Sequence, residues 1–200
     1  MEHRVVVGIS GASGAALGVK VVELLHATGR VETHVVISSA AELTLAHEVG
    51  TDAAARLREL ASMVHPIDAI GASIASGSFR TSGMIVAPCS MRTLAAIATS
   101  LSDNLLVRAA DVHLKERRRL VLLTRETPLH LGHLRSMLGV TEMGAIVAPP
   151  VPAFYALPRS IDDMVHATAS RAIDLLGVGL DVGSRSWSGL IKVSDAHRRD

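Results

Sequence analysis

Apolar residues along this chain fall into two alternating textures. Short, nearly unbroken runs, "RVVVGI" (4–9), "ETHVVI" (32–37), "MIVA" (84–87), "LVLL" (120–123) and "AIVA" (145–148), are separated by longer stretches where apolar positions recur every three or four residues. Unbroken runs rich in Val, Ile and Leu read as strands covered on both faces, as in a parallel sheet. The periodic stretches read as helices at 15–28, 40–48, 52–63, 93–100, 105–117, 131–138 and 160–176. Ser160 stands at the start of the last, with Asp163 at the capping-box position. Alternating strand and helix predict an α/β, doubly wound, mainly parallel sheet of Rossmann-like type. The length suits one domain, 1–177, followed by a loosely held tail at 178–200 that is rich in glycine, serine and charge.

Composition narrows this picture. Aromatics are only 2% of the 200 residues, so the core has to be aliphatic. The four aromatics, Phe79, Phe154, Tyr155 and Trp187, all fall outside the expected core elements. Net charge is +1, which gives no clustered basic face for nucleic acid. The run Lys115, Arg117, Arg118, Arg119 is broken by Glu116 and sits at a helix end, where it complements the dipole. A single cysteine, Cys89, excludes an intramolecular disulfide and fits a reducing compartment. No leader pattern precedes the first strand, and no apolar run approaches the ~18 residues of a membrane span. A cytoplasmic protein without membrane or nucleic-acid partners is expected.

In open α/β sheets, ligands sit beyond the carboxyl ends of the strands. There the sequence places Ser10, Gly11, Ala12, Ser13 and Gly14, then Ser38 and Ser39, then Pro88 to Thr93, then Thr124, Arg125 and Glu126, and finally Phe154 and Tyr155. Small residues at helix N-termini leave backbone N–H groups open to an anion. Glycines at 8, 11, 14 and 18 do not make G-x-G-x-x-G, and no G-K-[ST] follows. The glycine turn therefore reads either as an unusual phosphate seat or as tight strand–helix packing. Aromatics in rim loops read either as a stacking surface for a flat or cationic ligand or as loop packing.

The single charged residues keep two readings each. On the last helix, Ile161, Met164, Val165, Thr168, Ala172 and Leu175 make the expected inward stripe. Arg171 lies at its edge and needs a partner, either Asp174 or a phosphate. Arg108 and Lys115, seven apart, share one helical face. Glu48 and Glu126 read as salt-bridge or cap residues unless a site claims them. His130 and His133 have no third metal ligand at suitable spacing, so no metal site is expected. Cys89 lacks an evident histidine partner and reads as a small buried residue.

Four segments taken together, "GISGASGA", "SGSFRTSGMIVAPCSMRTLAAIA", "LLVRAADVHLKERRRLVLLTRETPLHLGHLRSM" and "GAIVAPPVPAFYALP", resemble the UbiX-type flavin prenyltransferases over about residues 4–177. The resemblance implies a Rossmann-like flavoprotein fold that binds reduced FMN and dimethylallyl phosphate. It implies joining the five-carbon unit to the flavin N5 and C6, with no metal, to give prenylated FMN for UbiD-type decarboxylases. It also implies dodecamers with sites between subunits. By match to family motifs, Gly11, Ala12, Ser13, Ser38, Ser90, Met91, Arg92, Thr93 and Arg125 are FMN-binding. Tyr155 and Arg171 hold the prenyl phosphate, with Arg108 and Lys115 near it, and Glu126, Lys115 and Glu48 are the catalytic set. Trp187 is matched to a tail tryptophan that closes over the site. The chain departs from the family pattern at Leu17, at Ser39 and in the spacing around Arg185 and Trp187. A phosphopantothenoylcysteine-type decarboxylase and a non-catalytic FMN carrier are the alternatives weighed against this reading.

Overall fold

A computed structural model describes residues 1–184 and 189. Six strands, β1 (His3–Ile9), β2 (Val31–Ile37), β3 (Met63–His65), β4 (Gly83–Cys89), β5 (Leu120–Thr124) and β6 (Ile146–Val147), form one sheet in the order β3-β2-β1-β4-β5-β6. Every pairing is parallel. The helices are α1 (Ala15–Ala27), α2 (Ser39–Glu48), α3 (Ala53–Leu60), α4 (Met91–Ala98), α5 (Leu105–Lys115), α6 (Leu131–Glu142) and α7 (Ile161–Asp174). Two 3-10 turns, Ser73–Ala75 and Phe154–Ala156, lie in the long connections. Strand order reverses direction between β1 and β4, so the crevice for a ligand opens beyond their carboxyl ends.

The unbroken apolar runs are buried on both faces, as their texture requires. Val5, Val7, Ile9, Val35, Ile37, Ile85, Val121 and Leu123 face a core built with α1, α2, α3 and α7. Val6, Val36, Met84, Val86, Leu120 and Leu122 face a second core built with α4, α5 and α6. Each such side chain, fully withdrawn from water, contributes about 2 kcal/mol before entropy is counted.

Three expectations need correcting. The helix expected at 52–63 ends at Leu60, and Met63–His65 pairs with β2 as an edge strand. Three residues, with Met63 half exposed, carry too little alternation to show in the sequence. On α7 the buried residues are Ala169, Ser170, Ala172 and Ile173, whereas Ile161 is 79% exposed. The stripe is thus rotated: small Ala169, Ser170 and Ala172 with Ile173 form the buried face of α7, and α7 packs against α1. Finally, the core continues past Gly177. Leu180 and Val182 join it, and Ser170 Oγ donates to the Val182 carbonyl at 3.1 Å.

Candidate functional site

The β1–α1 turn is tied to its neighbours by small residues. Ser10, which the sequence offers only as one more rim hydroxyl, is fully buried and joins β1 to β4. Its Oγ donates to the Pro88 carbonyl at 2.8 Å and accepts from Ser90 N–H at 2.7 Å. Gly11 is glycine because α2 begins against it: an added Cβ would lie 2.3 Å from Ala40 Cβ. Gly18, one turn into α1, is glycine because α1 crosses β4 so closely that a Cβ would lie 2.3 Å from the Ala87 carbonyl oxygen. The tight-packing reading of the glycine turn is therefore met in full.

At the N-terminus of α1 the anion is one of the protein's own side chains. Gly14 takes φ 100° as N-cap of α1 and offers no side-chain cap. The carboxylate of Glu48, at the end of α2, takes that place: Oε2 accepts from Gly14 N–H at 2.8 Å and from Ala15 N–H at 2.9 Å. Burial opposes the charge on Glu48. The N–H groups of Ala15 and Gly14, the Ser13 hydroxyl and Arg125 outweigh it and hold the carboxyl below its ordinary value. The anion at the N-terminus of α1 is thus the protein's own.

The N-termini of α2 and α4 keep donors for an outside anion. Ser38 caps α2, its Oγ accepting from Ala41 N–H at 3.2 Å. Ser90 caps α4, its Oγ accepting from Thr93 N–H at 3.3 Å and donating to Thr93 Oγ1 at 3.1 Å. The first-turn N–H groups of Ser39, Ala40, Met91 and Arg92 have no carbonyl acceptor within their own helices. The Arg92 side chain turns away and pairs with Asp103 at 2.6 Å, so its place on the rim is its backbone. Met91 packs on the second core. Arg125 leaves the end of β5, its N–H bound to the Cys89 carbonyl at 3.1 Å. It reaches back so that Nε donates to the Ser13 carbonyl at 3.0 Å. Gly11, Ala12, Ser13, Ser38, Glu48, Ser90 and Arg125 are thereby brought onto one rim. At the same edge Thr124 Oγ1 is buried without a hydrogen-bond partner among the described residues. Burial pushes the Cys89 thiol up to about 12, so no thiolate is available at neutral pH.

Toward β6, the rim opens into a cleft of about 1250 Å³ between residues 148–159 and α7. Tyr155 and Arg171 both line it, with Leu123 and Ala148 at its floor. Arg171 is exposed and pairs with Asp174 on the same helix. It does not lean into the core as the expected stripe required. Glu126, just before the α6 loop, is exposed and accepts from its neighbour's N–H, that of Thr127, at 3.0 Å.

Arg108 and Lys115 are not brought to this cleft. Arg108 donates from Nε to the Ala75 carbonyl at 3.2 Å and pairs with Asp111 at 2.8 Å. Lys115 pairs with Glu116 at 2.6 Å beside Gly77, where α5 ends near the amino edge of the sheet. Phe79 likewise sits over Arg4, 4.3 Å from its guanidinium carbon, so for this aromatic loop packing is the answer. Trp187 lies outside the described residues. His130 caps α6 through its ring, which accepts from Gly132 N–H at 3.0 Å and lies 3.6 Å from the His133 ring, centroid to centroid.

The crevice at the strand-order reversal thus carries two helix N-termini and a fixed arginine, next to a cleft lined by Tyr155 and Arg171. Known proteins are similar to this chain in sequence and fold. The Flavoprotein family model matches residues 1–172. The flavin prenyltransferase UbiX of Thauera aromatica is 53% identical over 187 residues, covering 93% of this chain and 94% of that protein. The crystal structure of AnUbiX (PadA1) in complex with FMN and dimethylallyl pyrophosphate superposes with a TM-score of 0.89 at 50% identity, over 94% of this chain and 99% of that one. A dodecameric FMN-dependent UbiX-like decarboxylase from Escherichia coli O157:H7 gives 0.88 at 45% identity, over 93% of this chain and all of that one. Matched over more than nine tenths of its length in both sequence and fold, the chain belongs to the UbiX flavin prenyltransferase family.

Proposed function

We propose that this chain transfers a dimethylallyl group from dimethylallyl phosphate to N5 and C6 of reduced FMN, without a metal ion. The prenylated FMN so made is released to a UbiD-type decarboxylase. The observation that carries the reading is the pairing of two anion sites on one edge of the sheet. One is the rim of Ser38, Ser90 and Arg125, and the other is the cleft with Tyr155 and Arg171.

The rim fits the phosphate of FMN. The open N–H groups at α2 and α4 add their helix dipoles to the charge of Arg125. Gly11, Ala12 and Ser13 present no bulky side chain, so the ligand's ribityl chain can run along the backbone. When bound, reduced FMN supplies the nucleophile, which is why the chain needs none of its own. The chain's task is at the other phosphate. Breaking the allylic C–O bond leaves its electron pair on the departing phosphate, and Arg171 and Tyr155 stabilise that charge. Glu126 carries a proton to or from the departing phosphate, and Glu48 holds α1 and Ser13 in position beside it.

Arg108 and Lys115 complete the reading only if another copy brings them. We infer a homo-oligomer, a dodecamer, in which α5 of one subunit faces the cleft of the next. The exposed stripe Leu131, Leu134 and Leu138 on α6, half or more exposed in the single chain, supports an assembly that covers it. Beyond the core residues Leu180 and Val182, the rest of the tail, with Trp187, is assigned to closing the cleft.

The test is direct. Protein, reduced FMN and dimethylallyl phosphate are mixed without oxygen, with dimethylallyl pyrophosphate in a parallel arm. The released flavin is then analysed by mass spectrometry. A gain of one isoprene unit in the phosphate arm is expected. Flavin of unchanged mass would leave a carrier of FMN.

A further inference from the structure

Residues 66–82 connect β3 to β4, crossing from the carboxyl edge of the sheet to its amino edge over the face covered by α5. Ile74 anchors the middle in the second core, and the Ala75 carbonyl holds Arg108. Two buried imidazole sites that the proposed reaction does not use hold it: the His34–His65 pair, which leads into it at His65 and meets Phe79 edge-on, and His113, which holds Thr81.

At the entrance, His34 and His65 are buried, 2% and 7% exposed, with His34 Nδ1 2.9 Å from His65 Nε2. His34 Nε2 lies 2.9 Å from Glu32 Oε1. An ionised carboxylate only accepts, so this nitrogen carries a proton, and in the neutral pair Nδ1 accepts from His65. Glu32 is matched by Arg4, whose Nε donates to it at 2.9 Å. Arg4 also donates to the Arg80 carbonyl at 3.0 Å and covers the Phe79 ring, itself set edge-on to His34. The pair has room for one added proton. A second would set N–H against N–H across the same 2.9 Å. Burial, and then the charge on His34, hold His65 below the ordinary imidazole value.

At the exit, His113 is 1% exposed. Its Nδ1 donates to the Ala109 carbonyl at 2.7 Å, so Nε2 accepts from the Thr81 hydroxyl at 2.8 Å. Thr81 Oγ1 already receives Arg118 Nη1 at 3.2 Å. A proton on Nε2 would break the Thr81 bond and put charge beside Arg118. Burial pushes His113 down to about 4, with Arg118 acting the same way against the backbone bonds to Ala109 and Gly83.

We propose that residues 66–82 are an acid-released strap, held by the His34–His65 pair through His65 and Phe79 and by His113 through Thr81. Above the unfolded imidazole value of about 6.5 His65 and His113 are neutral and hold. As pH falls below it, the opened strap binds protons that the closed one refuses. Opening then becomes easier while the rest of the sheet stays shut. Release of the strap frees Arg108 from Ala75.

Hydrogen exchange on the intact protein at pH 7.5 and 5.5, with rates referenced to unstructured chemistry at each pH, reads this out. Opening of amides in 66–82 is expected to rise by up to roughly tenfold per pH unit for each proton captured, with α1 and β1 amides unchanged. Equal change in all regions, or none, overturns the proposal. His34→Gln, His65→Gln and His113→Gln together are expected to abolish the pH dependence, since no imidazole of either clamp then remains. Undiminished acid opening in that variant overturns it too. Should the variant not fold, ring-nitrogen shifts of the wild-type histidines decide. Protonation of His113 in step with strap exchange supports the clamp, and a charged His113 ring beneath a protected strap sinks it.

Discussion

The rim between β1 and β5 and the cleft beside β6 differ in how they are held. On the rim, nearly every named residue is fixed by the same chain: Ser10 to Pro88 and Ser90, Glu48 to Gly14 and Ala15, Arg125 to Ser13. Along the cleft, Val151, Tyr155 and Leu157 are all more than half exposed, and among the described residues Arg171 pairs with its helical neighbour Asp174. A single chain therefore holds the proposed FMN rim by its own hydrogen bonds, and on the proposed reading the prenyl half is finished by a second copy. This division predicts that binding of FMN and turnover respond separately to substitution.

The largest separation is expected from breaking the assembly. Leu134→Glu with Leu138→Glu places two charges on the exposed stripe of α6. Sedimentation is expected to show smaller species, with FMN affinity within a few-fold of wild type. Turnover is expected to fall by more than about 10³-fold, because several phosphate donors leave together and each is worth ~10²–10³. Unchanged turnover in a dispersed protein would place the whole site within one chain. Next comes Arg171→Ala, which removes one donor from the cleft. Its kcat is expected to drop roughly 10²–10³-fold with FMN binding intact. A fall in FMN affinity instead would merge the two regions into one.

Gly18→Ala attacks the rim from beneath. The added Cβ meets the Ala87 carbonyl, backbone that cannot rotate aside, so α1 has to lift from β4. Overpacking of this kind costs about 2 kcal/mol. Denaturant unfolding is expected to show it, together with weaker FMN binding, since Ala87 leads directly into Pro88 and Ser90. Loss of stability without loss of FMN affinity would detach the rim's function from its packing.

These contrasts also mark what was readable in the chain itself. The sheet was legible because parallel strands covered on both faces leave unbroken runs, and only the three-residue β3 was too short to leave one. The rim residues were legible by position at strand ends. Their bonds were not, because Glu48 meets Gly14 across 34 positions and nothing local announces the meeting. Ser10 looked like one more rim hydroxyl, and its burial and two bonds follow only from β4 lying beside β1. Arg171 was placed at the edge of its stripe with Asp174 as one partner, and that pair forms, whereas the buried face itself, with Ala169 and Ser170, was missed because these residues are too small to register as apolar anchors. The separation of Arg108 and Lys115 from the cleft was beyond any reading of one helix, since both share a face and that face looks toward residues 75–77.

The smallest effect should come from Glu48→Gln, and it discriminates most finely. The carboxylate caps α1 with two backbone bonds, and the neutral amide keeps the shape but loses the charge that complements the helix N-terminus. A cap and dipole contribution of this size is about 1 kcal/mol at a site open to solvent. Because the folded carboxyl titrates below its ordinary value, its stabilisation is complete above the unfolded value near 4.5. It is lost as pH falls through the lower folded value. Thermal unfolding of wild type should therefore approach that of the variant in acid and exceed it at neutral pH. If Glu48 acts only as this cap, kcat should follow the small structural change. A far larger drop in kcat, with stability and FMN binding almost unmoved, would mean that the carboxylate also serves the reaction, and the rim would then share the chemistry assigned to the cleft.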